Sequence, residues 1–190
     1  MENPDFVDRI QEIFLNIFEK YQEQHGTWCG CSLHFRGLGN DQRSLRVTEA
    51  YCSVSDSYIK KGSGVAHRFG KPVFKHTDGN IWTIFDLIIE IGIDGIHPID
   101  SVSGMDFGEA KQKYGKKLCL MGNVNCSPTL IWKSVEEVRQ EVKECMKKAG
   151  YGGGYICVSS NSIHSGVNPE NFVAMDKAIT EFGRYPPELD

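Results

Sequence analysis

Histidine and aspartate follow a short apolar run in the segment PVFKHTDGN, in the order His76-Thr77-Asp78. An imidazole and a carboxylate two residues apart can exchange protons near neutral pH, ligate a metal, or orient a polar loop through local hydrogen bonds. The pair alone leaves these three interpretations open. Which interpretation applies depends on the side chains that the fold places next to the pair.

Three later segments also end in polar residues. The segment IHPID carries His97 and Asp100, and for His97, which precedes Pro98, a satisfied core position is the favoured interpretation. Asn123 and Asn125 in LMGNVN can bind a carboxylate-rich ligand or close a turn, and both interpretations remain open, while CVSSNSIH carries Asn161 and His164. The candidate site consists of two catalytic candidates and four substrate-binding candidates: His76 and Asp78, then Asn123, Asn125, Asn161 and His164.

Strand-like and helix-like segments alternate from Lys71 onward. The strands KPVFKH, DGIHPID, KLCLMGNV and GGYICVSSN are each followed by an amphipathic segment with helical spacing. Gly92 is expected to end the first of these helices in a left-handed conformation. The third and fourth helices carry start signals, a Ser134–Glu137 capping box and an Asn168 cap before Pro169.

This alternation predicts an α/β fold with a parallel sheet, specifically a partial (βα)8 TIM barrel of about four βα units plus an N-terminal helix. A flavodoxin-like sheet is the competing architecture. It is disfavoured because GYGGGY precedes a strand, whereas a phosphate-binding glycine turn opens a helix. In a barrel, the carboxyl ends of the strands meet at one rim, so the candidate residues are expected in one pocket.

The N-terminal part is less regular. Residues 3–26 predict a helix with apolar side chains at Phe6, Ile10, Ile13, Phe14, Ile17 and Phe18. The stretch from Thr27 to Gly64 has neither a helical nor a strand period. One hypothesis is that compensating frameshifts affect the coding DNA for His34 to Lys61.

Composition excludes several classes of protein. The chain has 190 residues and a formal net charge of −4, with its basic residues scattered, so a nucleic-acid surface is not expected. The longest apolar run, IFDLIIEIGI, contains two carboxylates and is too short to span a bilayer, so a cytoplasmic protein is predicted. Seven cysteines, most of them in apolar or helical patterns, predict buried thiols and no disulfide framework.

Several of these segments together resemble the C-terminal half of the uroporphyrinogen decarboxylase superfamily. They are GKPVFKHTDGNIWTIFDLIIEIGIDGIHPID, KYGKKLCLMGNV and GGGYICVSSNSIHSGVNPENFVAMDKA, in this order. The resemblance covers residues 69–186 of what is predicted to be a single domain over residues 1–190. It implies the same (βα)8 barrel that the alternation predicts.

The resemblance implies decarboxylation of tetrapyrrole acetate side chains, a carboxy-lyase reaction of porphyrin biosynthesis that needs no cofactor. The superfamily also contains corrinoid-linked methyltransferases, whose zinc is held by a His-x-Cys pair and a later cysteine. Here those positions are His76-Thr77-Asp78 and Asn161, so no metal is expected, although zinc or a corrinoid is implied if methyl transfer is the reaction. The third alternative is a non-catalytic half-barrel that binds or assembles. The expected partners are a small-molecule substrate, a tetrapyrrole or a methyl donor, and either a second copy or a second barrel half.

Overall fold

The structure, a computed structural model, describes residues 4–25, 33–35 and 58–185. Its five strands are β1 Leu33–Phe35, β2 Phe74–Thr77, β3 Gly95–His97, β4 Cys119–Val124 and β5 Tyr155–Ser159. Its helices are α1 Pro4–His25, α2 over residues 58–68, α3 Phe85–Glu90, α4 Phe107–Tyr114, α5 Pro128–Trp132, α6 Val135–Ala149 and α7 Pro169–Phe182. Two short 3₁₀ turns lie at Trp82–Ile84 and Ser101–Ser103.

The five strands form one sheet in which every neighbouring pair is parallel and the spatial order is the chain order. Helices connect successive strands from β2 to β5, as parallel pairing requires. A doubly wound sheet reverses its strand order at a switch point, whereas a barrel keeps the strands sequential. The strand order is therefore that of a partial (βα)8 barrel, and the predicted fold class is confirmed.

The two faces of the sheet differ in what covers them. Ile96 and Leu120, on one face, are fully buried in a core cluster with helix residues such as Phe85 and Phe107. On the opposite face, which corresponds to the inside of a barrel, 41% of Ile156 is exposed. Among the described residues, the helices therefore cover one face of the sheet.

The helix starts follow the predicted sequence signals. The Ser134 hydroxyl accepts from the backbone N–H of Glu137, and the Glu137 carboxylate accepts from the Ser134 backbone N–H, which completes the capping box of α6. The Asn168 side chain accepts from the N–H of Glu170 at the start of α7. Gly92 has a positive φ of 78°, as a left-handed stop requires.

Two parts of the chain differ from their sequence patterns. Within the aperiodic stretch 27–64, the structure has β1 and the start of α2, while most of the segment in the frameshift hypothesis lies outside the described residues. The segment after Asn80 forms a 3₁₀ turn and the short α3 where the sequence predicts one helix. The Asn80 side chain accepts from the N–H of Trp82, and this local bond competes with regular helix formation.

None of the described helices is long and apolar enough to cross a membrane.

Candidate functional site

The closest polar contact between the predicted strand ends joins two histidines. His76 and His97 are register partners on β2 and β3. Their Nδ1 atoms are 2.7 Å apart and their ring centroids 4.8 Å apart. His76 is a predicted site residue, whereas the sequence favoured a core position for His97. The structure instead places both half-buried at the carboxyl edge of the sheet.

His97 also reaches β5, although β4 lies between β3 and β5 in the sheet. Its Nε2 is 2.9 Å from the backbone oxygen of Ser159. The intervening residue is Gly122, where a Cβ would lie 4.0 Å from the His97 ring. The φ of Gly122 is 132°, a value that side chains of L residues rarely adopt. A glycine at position 122 therefore allows the backbone of β4 to adopt this conformation beside the His97 ring.

These contacts fix where the protons of the two rings lie. The Ser159 carbonyl can only accept, so His97 Nε2 donates and carries a proton. In a neutral ring, His97 Nδ1 is then an acceptor, and His76 Nδ1 must donate to it. The second nitrogen of His76, Nε2, is consequently the one that gains or loses a proton.

Asp78 lies on the proton-exchanging side of His76. Its Oδ1 is 3.6 Å from His76 Nε2, and it accepts from the Asn161 side-chain amide at 3.2 Å. The Asn161 Oδ1 accepts from the Ser162 N–H at 2.7 Å, which orients the amide. A carboxylate beside Nε2 stabilises the doubly protonated imidazolium. The contacts thus form a continuous series, here called the rim cluster: Ser159, His97, His76, Asp78 and Asn161.

Asp100 holds the loop that carries Asp78. Its Oδ2 accepts from the backbone N–H of Gly79 at 3.1 Å and from the Ser103 hydroxyl at 2.6 Å. Its Oδ1 accepts from the N–H of Val102 at 3.0 Å. Asp100 is therefore a positioning residue that joins the loops after β2 and β3.

The remaining predicted residues behave in different ways. Asn123 is 5% exposed, and its Oδ1 is buried without a hydrogen-bond partner in the described part of the chain. Asn125 and His164 make local contacts: Asn125 Oδ1 accepts from the Ser127 N–H, and His164 Nδ1 accepts from the Gly166 N–H. The structure therefore brings His76, Asp78 and Asn161 into contact, and gives Asn125 and His164 the bonds of turns.

The described cysteines provide no reactive thiolate at neutral pH. Burial raises the pKa of the Cys145 thiol to about 12 and that of Cys157 to about 11. Burial also raises the pKa of Cys119 and Cys126 above the ordinary value. Because burial disfavours the thiolate, which is the nucleophilic form, these four free thiols are assigned to packing.

Comparison with known families assigns the chain to one family. The family described as Uroporphyrinogen decarboxylase (URO-D) matches residues 47–182, which is most of the chain. The chain belongs to the uroporphyrinogen decarboxylase family. This match includes all of β2 to β5 and every residue of the rim cluster.

Individual relatives agree with the family assignment. A uroporphyrinogen decarboxylase from Pseudomonas syringae pv. tomato is 34% identical over 137 residues, covering 70% of this chain and 37% of the relative. One from Shewanella piezotolerans is 30% identical over 142 residues, covering 72% of this chain and 38% of the relative. The chain thus spans less than two fifths of the length of these relatives.

A solved structure supports the fold. A methyltransferase from Methanosarcina mazei superposes with a TM-score of 0.58 and is 21% identical, covering 70% of this chain and 37% of that protein. At this identity the likeness establishes the shared architecture and carries nothing about the reaction. The uroporphyrinogen decarboxylase family and the methyltransferase share this part of a barrel.

The zinc site of the methyltransferase alternative does not fit the residues of this family member. The Asn161 side-chain amide donates its N–H to Asp78. It therefore presents a hydrogen toward His76 and Asp78, and not the lone pair that a zinc ligand would need. Within residues 4–25, 33–35 and 58–185, no group of three His, Cys, Asp or Glu side chains is arranged to hold a metal. The rim cluster is better suited to hydrogen bonding and proton transfer.

A groove on the outer layer is separate from this chemistry. It has a volume of about 540 Å³ and lies between α6 and α7, and its lining includes Val135, Arg139, Val173 and Lys177. None of the predicted site residues lines it.

Proposed function

We propose that the chain supplies the carboxyl-end rim of a uroporphyrinogen decarboxylase pocket, in which His76 and Asp78 provide the proton that replaces carbon dioxide on an acetate side chain of a tetrapyrrole. The observation that supports this most directly is the contact series from the Ser159 carbonyl through both histidines to Asp78. The series leaves Nε2 of His76 as the exchanging nitrogen and places a carboxylate beside it.

The chemistry of decarboxylation requires such a group. The bond between the side-chain CH₂ and the carboxylate breaks, carbon dioxide leaves, and the electron pair stays on carbon until a proton is added. His76 Nε2, which is itself buried, gives that proton and regains one by way of Asp78, whose side chain is 42% exposed to solvent, so atoms and charge balance without a cofactor. A positioned acid of this type contributes about 10²–10⁴-fold to a rate.

The other residues of the rim have supporting roles in this proposal. His97 fixes the tautomer of His76, and Asn161 holds Asp78 in the orientation that faces Nε2. The buried Oδ1 of Asn123 is an acceptor that a donor on the ligand would satisfy, since buried polar atoms are normally bonded.

Completion of the pocket by a second barrel half is part of this proposal. Five of the eight strands of a barrel are present in the described residues, and β1 and β5 each pair with one neighbour there. The exposed Ile156 lies on the face that the remaining strands of a closed barrel would cover. The partner is therefore expected to be a complementary barrel half.

Methyl transfer and a non-catalytic assembly role are the competing functions. The rim cluster of Ser159, His97, His76, Asp78 and Asn161 includes no cysteine, which makes zinc-dependent methyl transfer the weaker candidate. A purely assembling half-barrel would not need the hydrogen-bonded rim, because a sheet face is held by apolar contacts.

The test measures conversion of uroporphyrinogen to products with fewer carboxylates, by chromatography of the oxidised porphyrins. The full chain, coexpressed with a complementary barrel half that completes the pocket, should form these products, and His76→Gln or Asp78→Asn in this chain should lower kcat/KM about 100-fold or more. The matched control is His67→Gln, which removes a different His–Asp pair, 2.8 Å long, near the amino ends of β2 and β3.

Full turnover by His76→Gln would remove His76 from the reaction. A wild-type complex with the complementary half that forms no product would exclude decarboxylation by this chain. A fall in His67→Gln equal to that in His76→Gln would show that the loss comes from folding and would overturn the assignment.

A further inference from the structure

We propose that Cys126, on the loop after β4, is a positioning residue for the rim cluster. Its backbone N–H and its thiol hold the residues on both sides of Asn161 and so keep the Asn161 amide on Asp78. The inference deepens the proposed function and rests on it for its catalytic meaning, because the placement of Asp78 matters to turnover only if Asp78 serves the reaction.

The loop that carries Asn161 is open to solvent. Every residue from Asn161 to Gly166 is exposed, so packing contributes little to the orientation of this loop. The Asn161 amide nevertheless reaches from the end of β5 to Asp78, on the loop after β2, at 3.2 Å. Hydrogen bonds are therefore the contacts that can fix the loop in this orientation.

Cys126 makes two such bonds, one on each side of Asn161. Its backbone N–H donates to the Ser160 hydroxyl at 3.0 Å, and its thiol donates to the Ser162 carbonyl at 3.3 Å. The Ser162 N–H in turn donates to the Asn161 Oδ1 at 2.7 Å. The residue whose carbonyl the thiol holds is thus the one that orients the amide bonded to Asp78.

The Cys126 thiol is in the protonated form, which can donate a hydrogen bond. Cys126 is 2% exposed, and burial raises the pKa of its thiol above the ordinary value. The side chain therefore keeps its S–H hydrogen at neutral pH. A thiol is a weak donor, but a hydrogen bond in a buried, low-dielectric position is stronger than one in water. Besides its packing role, the thiol thus has a partner that it can hold in place.

The loop after β4 is itself fixed, as a positioning residue requires. The backbone N–H of Asn125 donates to one carboxylate oxygen of Glu141, on α6, at 2.6 Å. The Thr129 hydroxyl donates to the other oxygen of the same carboxylate. The chain is therefore attached to the helical layer both before and after Cys126, so the thiol reaches the exposed loop from a rigid base.

Three substitutions separate hydrogen bonding from packing at Cys126. Cys126→Ser keeps a donor in a smaller side chain, whereas Cys126→Val fills the buried space and removes the donor. If the thiol positions the loop, the first variant should keep the Asn161 bond and the second should lose it, while a packing role predicts the reverse. Cys126→Ala adds no volume and differs from Cys126→Ser only in the hydroxyl, so the comparison of these two isolates the donor even if the valine variant does not fold.

The measurement uses the full chain and follows the Asn161 side-chain amide by NMR with ¹⁵N-labelled asparagine. Asp78→Ala supplies the reference shifts of the amide without the carboxylate. In Cys126→Val and Cys126→Ala, the ratio of bonded to unbonded Asn161 should fall about fivefold, the effect of one ordinary hydrogen bond, while Cys126→Ser should give the wild-type shifts. The matched control is Cys145→Val, which makes the same change at another buried thiol, 7% exposed, and should leave the Asn161 shifts unchanged.

The same variants have an expected effect on the proposed reaction. In the complex with a complementary barrel half, Cys126→Ala should lower kcat about fivefold and leave KM unchanged, because it alters the placement of the proton-transfer groups and not the binding of substrate. Cys126→Ser should restore kcat.

Wild-type Asn161 shifts in Cys126→Ala would overturn the proposal. Loss of the bond in Cys126→Ser equal to that in Cys126→Ala would also overturn it, because packing would then be the cause. So would an equal change in Cys145→Val, which would indicate general loosening of the core. The NMR result does not depend on turnover, so a complex that forms no product while Asn161 responds as expected would reject the proposed function and leave the positioning by Cys126 in place.

Discussion

The two histidines of the rim differ in role because their hydrogen-bond partners differ. His97 has both ring nitrogens occupied, one by the Ser159 carbonyl and one by His76. His76 has one nitrogen committed to His97 and the other beside Asp78. Proton exchange is therefore expected at His76, while His97 sets its tautomer.

A direct prediction concerns that tautomer. In wild-type protein, neutral His76 should carry its proton on Nδ1, because His97 Nδ1 accepts there. His97→Phe removes the acceptor, and the proton of neutral His76 should then redistribute to Nε2. The ¹⁵N chemical shifts of the His76 ring report which nitrogen is protonated.

The control for this experiment is His164→Phe, which changes an exposed turn histidine and should leave the His76 shifts as they are. An Nε2-protonated His76 in wild-type protein would contradict the proton assignment. Unchanged His76 shifts in His97→Phe would also count against it.

At the scale of elements, the amino end of α6 combines two hydrogen bonds with a charge. The capping box lowers the pKa of Glu137 from 4.5 to about 2, chiefly through the backbone N–H and hydroxyl of Ser134 with help from Lys133. A depressed carboxyl pKa stabilises the fold above the unfolded pKa, and the contribution disappears as pH falls through the folded pKa. The relevant window is therefore pH 4.5 down to about 2.

Removal of the Ser134 side chain should destabilise the protein. Ser134→Ala should cost about 1 kcal/mol of unfolding free energy at neutral pH, a normal value for an N-cap.

Removal of the Glu137 charge should have an effect that depends on pH. The difference in melting temperature between wild type and Glu137→Gln should be constant above pH 5 and shrink as the pH approaches about 2. Thermal unfolding followed by circular dichroism measures both.

Glu136→Gln is the matched control for the charge, since Glu136 lies in the same first turn and outside the capping box. If this substitution reproduced the full pH dependence of Glu137→Gln, the helix dipole and not the box would be the cause. A pH-independent difference for Glu137→Gln would contradict the assigned pKa.

Helices and strands could be predicted from the sequence where a local signal marks their start. The starts of α6 and α7 could be predicted because Ser134 and Asn168 act within one turn. The start of α2 and the strand β1 could not be predicted, because their sequences have no clear period and their conformation depends on tertiary packing and pairing.

The site shows the same division between local and long-range information. His76, Asp78 and Asn161 could be placed at one rim because parallel strands align their ends. The role of His97 could not be predicted, since a lone histidine before proline gives no sign that its ring crosses β4 to reach Ser159. Asn125 and His164 accept hydrogen bonds within their own turns, and the substrate-binding role of both stays a prediction.

For the whole molecule, the inner face of the sheet is the surface expected to decide association. It belongs to a curved surface that a barrel closes with further strands, so a complementary chain is its expected partner. Ile156, of which 41% is exposed, lies on this face. Association should therefore respond to substitutions on the inner face and not to substitutions on the helical layer.

The inner face of the sheet should bind a complementary barrel half. To test this, the present chain is coexpressed with the part of the Pseudomonas syringae relative that precedes the matched segment. The two should copurify in equal amounts, because their apolar inner faces are buried together. Ile156→Asp should weaken this association by tenfold or more, since an unpaired carboxylate would be placed in an apolar interior.

Val173→Asp provides the matched control, because Val173 is 47% exposed and lines the groove between α6 and α7 on the outer layer. This variant should copurify as wild type does, since a closing barrel half covers the sheet and leaves the outer groove open. Equal loss in both variants would indicate a general folding defect, and association that survives Ile156→Asp would place the contact elsewhere. Because the rim cluster lies at one edge of the same sheet face as Ile156, loss of closure should also reduce decarboxylation.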